Sequence, residues 1–128
     1  MSVLIDTHAL LWFVDQDHLL SAVALSTIRD TNNDLLLSAG AIWELSIKVG
    51  LGRLKLAGTF REWIDRVIAE LELRVLPITV EHAAVQSSLP RHHGDPFDRL
   101  LVAQALVESL PIVTSDVAFD AYGVRRLW

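Results

Sequence analysis

Residues 3–5 (VLI), 35–37 (LLL), 74–78 (RVLPI) and 111–114 (PIVT) are short apolar runs, and none alternates polar with apolar positions. A strand with one wet face alternates, whereas a strand covered on both faces does not. Stretches with helical spacing lie between these runs. Ser21 opens one over 21–30, and 39–50 forms another, with Ile42, Leu45 and Val49 at core spacing and Gly50 and Gly52 as its stop. Thr59 and Glu62 predict a capping box for 59–73, where Phe60, Trp63, Ile64, Val67, Ile68 and Leu71 mark the buried face. Thr79 caps a further helix that ends before Pro90, and Asp95 followed by Pro96 starts a long one. The segment DVAFDAY predicts a short helix, and Val124 opens a last short strand. Strands of this kind alternating with helices predict an α/β fold with a mainly parallel sheet buried on both faces.

The 128 residues suit one domain spanning 1–128. Hydrophobic residues reach 52%, yet charges such as Asp6, Asp15 and Asp17 break every apolar run well short of membrane-spanning length, so no transmembrane helix is expected. No Lys or Arg precedes the first apolar run and no small-residue cleavage site follows it, which argues against a secretory signal. Cysteine is absent, excluding disulfides and thiolate zinc sites and fitting a cytoplasmic protein. The apolar excess, including Trp12, Trp43, Trp63 and Trp128, fits either a tightly packed core or a surface covered by a second subunit.

Two strands end on a carboxylate, Asp6 and Asp116, and in parallel α/β sheets ligands bind beyond the carboxyl ends of strands. Asp6 and Thr7 also fit a helix start. With Thr7 as the cap, Asp6 is left at a buried strand end, where an ionised carboxylate is costly unless it is paired or holds a metal. Asp98 lies in the first turn of the helix capped by Asp95, where an acid contributes about 0.3 to 1 kcal/mol through the helix dipole. Glu44 precedes Lys48 by one turn, a surface pairing worth about 0.2 to 0.5 kcal/mol. It nevertheless stands between Trp43 and Leu45 in a helix otherwise poor in charge.

Together Asp6, Glu44, Asp98 and Asp116 supply several hard oxygen ligands with no Gly-rich phosphate loop beside them, a set suited to Mg²⁺ or Mn²⁺. The matching chemistry is attack of metal-activated water on a phosphodiester. It would also reconcile a polyanionic substrate with a net charge of -5, which opposes whole-molecule attraction to nucleic acid.

IDTHALLW, AIWELSIKVGLGRL, HHGDPFDRLLVAQA and IVTSDVAFDAYG, in this order and spacing, resemble the PIN-domain ribonucleases, and specifically the VapC-like toxins of toxin-antitoxin pairs. The resemblance covers nearly the whole chain. It implies a three-layer α/β/α sandwich, Mg²⁺ or Mn²⁺ dependence, and endonucleolytic cleavage of RNA to a 3′-hydroxyl and a 5′-phosphate. The acidic quartet of the family falls on Asp6, Glu44, Asp98 and Asp116. Asp6, Asp98 and Asp116 would hold metal directly or through water, and Glu44 would bind metal or orient or deprotonate the attacking water. Thr114 matches a supporting position, Thr7 stands beside the first acid as a further supporting candidate, and Asp95 matches a further acid that reads as a helix cap first. The resemblance also implies a homodimer and a cognate antitoxin whose carboxyl-terminal segment lies in an apolar groove; Trp43, Ile47, Val49, Leu51 and Leu54 are the candidates for part of it.

Arg99, Arg91 and Lys48 are candidates for an RNA path, with Arg99 foremost because it stands beside Asp98. His8 reads as a helix residue at the edge of the site, and His92 and His93 as neighbours on a solvated loop. Asp6-x-His8 with Gly94-Asp95-x-x-Asp98 imitates the calcineurin-like phosphoesterases, but the later Gly-Asn-His block is missing. A phosphate-receiver domain would need adjacent acids after its first strand. A non-catalytic PIN-like module that binds RNA or protein is the alternative, and the intact quartet argues against it.

Overall fold

The computed structural model describes residues 1–128. Strand β1 (Ser2–Ile5) leads into helix α1 (Thr7–Asp15), and a 3₁₀ turn at Asp17–Leu19 precedes α2 (Ala22–Arg29). Strand β2 (Asp34–Ser38) is followed by α3 (Ala39–Gly50) and α4 (Phe60–Glu70). After β3 (Arg74–Leu76) come α5 (Val80–Ser87) and α6 (Pro96–Glu108), then β4 (Ile112–Val113), a 3₁₀ segment at Val117–Tyr122, and β5 (Arg126–Leu127). The expected short helix over DVAFDAY is thus a 3₁₀ helix, whose N-cap Asp116 accepts from the N–H of Ala118.

The strand order is β3-β2-β1-β4-β5, and every pairing is parallel. From β1 the chain builds outward through β2 and β3, then returns to the other side of β1 for β4 and β5. The direction reverses between β1 and β4, the position at which parallel sheets of this kind bind ligands beyond the strand ends. Val3 and Ile5 of β1 face one core, with Leu35, Leu37, Leu10, Ala24, Leu45, Trp63 and Val67. Leu4 faces the other, with Leu36, Ile112, Leu101, Val102 and Phe119. Helices on both faces complete the three layers. The central strands β1, β2 and β4 carry the continuous apolar character that double burial requires. Strand β3 is an edge and departs from it: Arg74 and Val75 are exposed.

The expected helix starts hold, with side-chain caps from Ser21, Thr59, Thr79 and Asp95, and the box between Thr59 and Glu62 is complete. The buried face of α3 is carried by Gly40, Ala41, Glu44 and Leu45, while Ile42 and Val49 are only half-buried. Gly40 is what lets α3 approach α6, because a Cβ there would collide with Leu100 Cδ2. Glu44 on α3 and Asp98 on α6 are thereby carried toward each other. At the far end of α6, the fully buried His82 closes a reciprocal cap with Thr79 and reaches Glu108 at 2.9 Å through Nε2, tying α5 to α6.

Candidate metal centre

Asp6 ends β1 at the reversal point, where its backbone N–H donates to Val113 O at 3.0 Å. It occupies the N-cap position of α1 without making a side-chain cap, so its carboxylate is free for other work. The cap expected from Thr7 is not made. Thr7 is instead the first residue of the helix, and its buried hydroxyl donates to Glu44 Oε1 at 2.9 Å. Capping explains neither residue.

Just beyond β4, the Thr114 hydroxyl donates to Asp6 Oδ2 at 2.8 Å and accepts the backbone N–H of Asp116 at 3.1 Å. One buried hydroxyl therefore fixes two of the acids. Glu44 is itself buried, with Oε1 on Thr7 and Oε2 3.3 Å from Lys48 Nζ. The i,i+4 pair anticipated for an exposed surface is real, but its acid faces inward. Asp95 accepts from the N–H groups of Phe97 and Asp98 at 2.8 and 3.4 Å, the cap expected of it.

The tightest cluster holds a residue the sequence reading had placed on a solvated loop. His93 Nε2 lies 2.9 Å from Asp116 Oδ2 and 3.0 Å from Asp98 Oδ2, and these three groups present ligand atoms within 4.8 Å of one another. The loop is folded back over the site by Tyr122, whose hydroxyl accepts the backbone N–H groups of His92 and His93 and donates to Pro90 O. A ring nitrogen two residues before a capping Asp was the available sequence signal. Adjacency to His92 obscured it.

Asp6 and Glu44 stand outside that closest trio but act on it electrostatically. Burial pushes the Asp98 carboxyl up to about 7, helped by repulsion from Asp6, Asp95 and Glu44 and opposed by His93. Burial also raises Asp6, opposed by its hydrogen bond from Thr114 and by His8, with Glu44 adding to the rise. His8 is exposed and its ring lies tilted against Trp12, in keeping with a place at the rim. Four carboxylates converge around a small volume in which Lys48 and His93 are the counter-groups paired to them. Such a donor set, all hard oxygen and short of positive charge, fits a divalent cation of the Mg²⁺ class.

The basic residues expected along an RNA path fall in three different settings. Lys48 pairs with Glu44, and Arg91 is exposed. Arg99 instead clamps the loop: its guanidinium donates to Pro90 O, Gln86 O and Leu89 O at 2.9 to 3.2 Å, with a longer contact to Tyr122. The structure gives it an architectural task that sequence adjacency to Asp98 did not suggest. Of the apolar groove candidates, Trp43 and Ile47 on α3 and Leu51 at its C-cap form an exposed stripe at fourfold spacing. Val49 lies off that stripe, and Leu54 lines a separate cleft of about 330 Å³ with Leu11, Trp12, Leu56 and Trp63. Asp6, Glu44, Asp98 and Asp116 all lie outside that cleft, whose one carboxylate is Asp15.

Residues 3–124 match the model of the PIN domain family. Ribonuclease VapC22 of Mycobacterium tuberculosis (strain ATCC 25618 / H37Rv) is 32% identical over 116 residues, covering 90% of this chain and 87% of that protein. Among solved structures, a chain of VapBC2 from Rickettsia felis, bound to a DNA fragment from their promoter, superposes with a TM-score of 0.75 at 14% identity, covering 98% and 97% of the two chains. FitAcB from Neisseria gonorrhoeae gives 0.67 at 20% identity over 98% and 96%. At such identities the structures speak to the fold.

Proposed function

This chain belongs to the PIN domain family, in its VapC-like branch, and from that premise we propose that it is a metal-dependent endoribonuclease and the toxin of a toxin-antitoxin pair. The observation that carries the reading is the convergence of Asp6, Glu44, Asp98 and Asp116 at the β1/β4 reversal point, braced by Thr7 and Thr114.

Asp6, Asp98 and Asp116 would hold Mg²⁺ or Mn²⁺, with Glu44 beside them, and the ion would supply an activated water and neutralise charge on the scissile phosphate. The chain's own groups account for the rest. Thr114 holds the Asp6 carboxylate and the Asp116 backbone in one frame. Thr7 and Lys48 fix both oxygens of Glu44, leaving its remaining lone pairs to orient water or take its proton. Asp95 keeps the first turn of α6 in place and with it Asp98. Arg91 and Lys48 are the basic residues we assign to an RNA path, while Arg99 supports it by shaping the loop.

Two partners are proposed with the activity. An antitoxin segment covering the Trp43, Ile47 and Leu51 stripe would bury apolar surface that is now 37 to 63% exposed. A homodimer and a cytoplasmic location complete the reading; no helix is long and apolar enough to cross a membrane. A mixed RNA pool incubated with protein and Mg²⁺, Mn²⁺ or EDTA, beside Asp98→Asn, tests the activity. Discrete cuts by wild type only with metal, and none by the variant, support it. Tight RNA or protein binding without cleavage would favour the non-catalytic module instead.

A further inference from the structure

We propose that His93 is a positioning residue that guards the metal centre, its Nε2–H resting on the oxygens of Asp98 and Asp116 that a divalent cation would claim, so that imidazole and cation exchange for one another. The inference deepens the metal-centre reading above and rests on it.

His93 is held at its backbone and at both ring nitrogens. The backbone N–H of His93 donates to Tyr122 Oη at 2.9 Å, Nδ1 accepts the backbone N–H of Asp95 at 3.1 Å, and Nε2 meets the two acids. A backbone N–H only donates, so Nδ1 must offer its lone pair. The hydrogen of the neutral ring then sits on Nε2, aimed at the carboxylates. A metal-bound histidine has the opposite arrangement: one nitrogen gives its lone pair to the ion, and the other donates its N–H to a carboxylate or carbonyl. With Asp95 N–H against Nδ1, His93 in this pose brings a hydrogen to the acids and has no ligand lone pair to offer there.

The oxygens in question have few alternatives. Asp116 Oδ1 already accepts the N–H of Ala118 at 2.9 Å, leaving Oδ2 as the oxygen not engaged in capping, and Oδ2 is where His93 sits. Gly94 links the ring to the helix cap. It is exposed, and the bonds by which Asp95 caps Phe97 and Asp98 do not involve the ring, so release of the imidazole leaves the helix start in place.

The test is calorimetric titration of Mn²⁺ into chelator-stripped protein without RNA, comparing wild type with His93→Ala and His93→Gln. Removing the guard should tighten Mn²⁺ binding about tenfold, the scale of one hydrogen bond to a charged group. His93→Gln keeps an N–H donor of similar reach and should stay near wild type. Unchanged affinity in His93→Ala would overturn the guard, and weaker binding would make His93 a ligand and overturn it equally. Failure of every form to bind Mn²⁺ would sink the metal-centre reading and this inference with it. Nitrogen NMR of the stripped wild type reads the ring without any variant: Nε2 protonated and Nδ1 bare is expected, and the reverse tautomer refutes the inference.

Discussion

The hydroxyl of Thr114 donates to Asp6 Oδ2 at 2.8 Å across 108 positions of sequence, and Thr114 Oγ1 in turn accepts the N–H of Asp116. One methyl-sized replacement would break both bonds. Thr114→Val keeps the shape, strands a buried carboxylate and a backbone N–H, and should cost about 1 to 3 kcal/mol of stability. Thr114→Ser should recover most of it. Urea denaturation of the three proteins checks the order, and equal midpoints would mean that the hydroxyl is dispensable.

Asp98 ties stability to pH in a definite direction. Its folded value of about 7 lies above the ordinary 3.8, so the folded protein holds its proton more tightly than the unfolded chain. The stabilisation this provides is complete below about 4 and disappears as pH rises through about 7. Stripped of metal, the protein should melt higher at pH 5 than at pH 8. Melting in EDTA across that interval, with Asp98→Asn giving a flatter profile, is the check.

Cation binding should follow the same proton. A cation must drive it off Asp98, so Mn²⁺ affinity should climb about tenfold per pH unit below 7 and level off above. Calorimetry in buffers of differing ionisation enthalpy would detect the released proton; a flat profile would contradict the elevated carboxyl.

Asp98→Asn should separate stability from activity. Neutralising a crowded acid relieves repulsion from Asp6, Asp95 and Glu44, and at pH 8 the metal-free variant should gain about 1 to 3 kcal/mol. Cleavage should fall by at least about a hundredfold, as expected on removing a group that places charge at a reaction centre. A variant both less stable and fully active would defeat the assignment.

Remote from the acids, His82→Ala opens a void and removes the link from α5 to Glu108 and the Thr79 N–H, a loss of about 1 to 3 kcal/mol. RNA cleavage per folded molecule should be unchanged. Reduced turnover at full folding would show that α5 communicates with the site.

Much of this arrangement was legible in the chain. Runs without polar alternation announced doubly covered strands, and Asp6 and Asp116 were legible as the acids that follow two of them. The caps at Thr59, Thr79 and Asp95 followed from local backbone chemistry, which neighbours within four residues dictate. What escaped was set by distant partners. Thr7 looked like a cap because its neighbours permit one, and only Glu44, 37 positions away, takes its hydroxyl instead. Arg99 was read through adjacent Asp98, whereas its partners are carbonyls at Gln86, Leu89 and Pro90. His93 was read through His92, whereas Tyr122, 29 positions on, folds its loop over the acids.

The pairing of β1 with β4 has a consequence for the time at which the site first exists. Asp6 leaves the ribosome early, yet its strand neighbour is Val113 and its hydroxyl partner is Thr114. Until those residues emerge, the growing polypeptide lacks Asp116 and the frame that fixes Asp6. The site is therefore assembled only after β4 and Thr114 have been made, and no shorter stretch of the growing polypeptide can hold Asp6 in this frame.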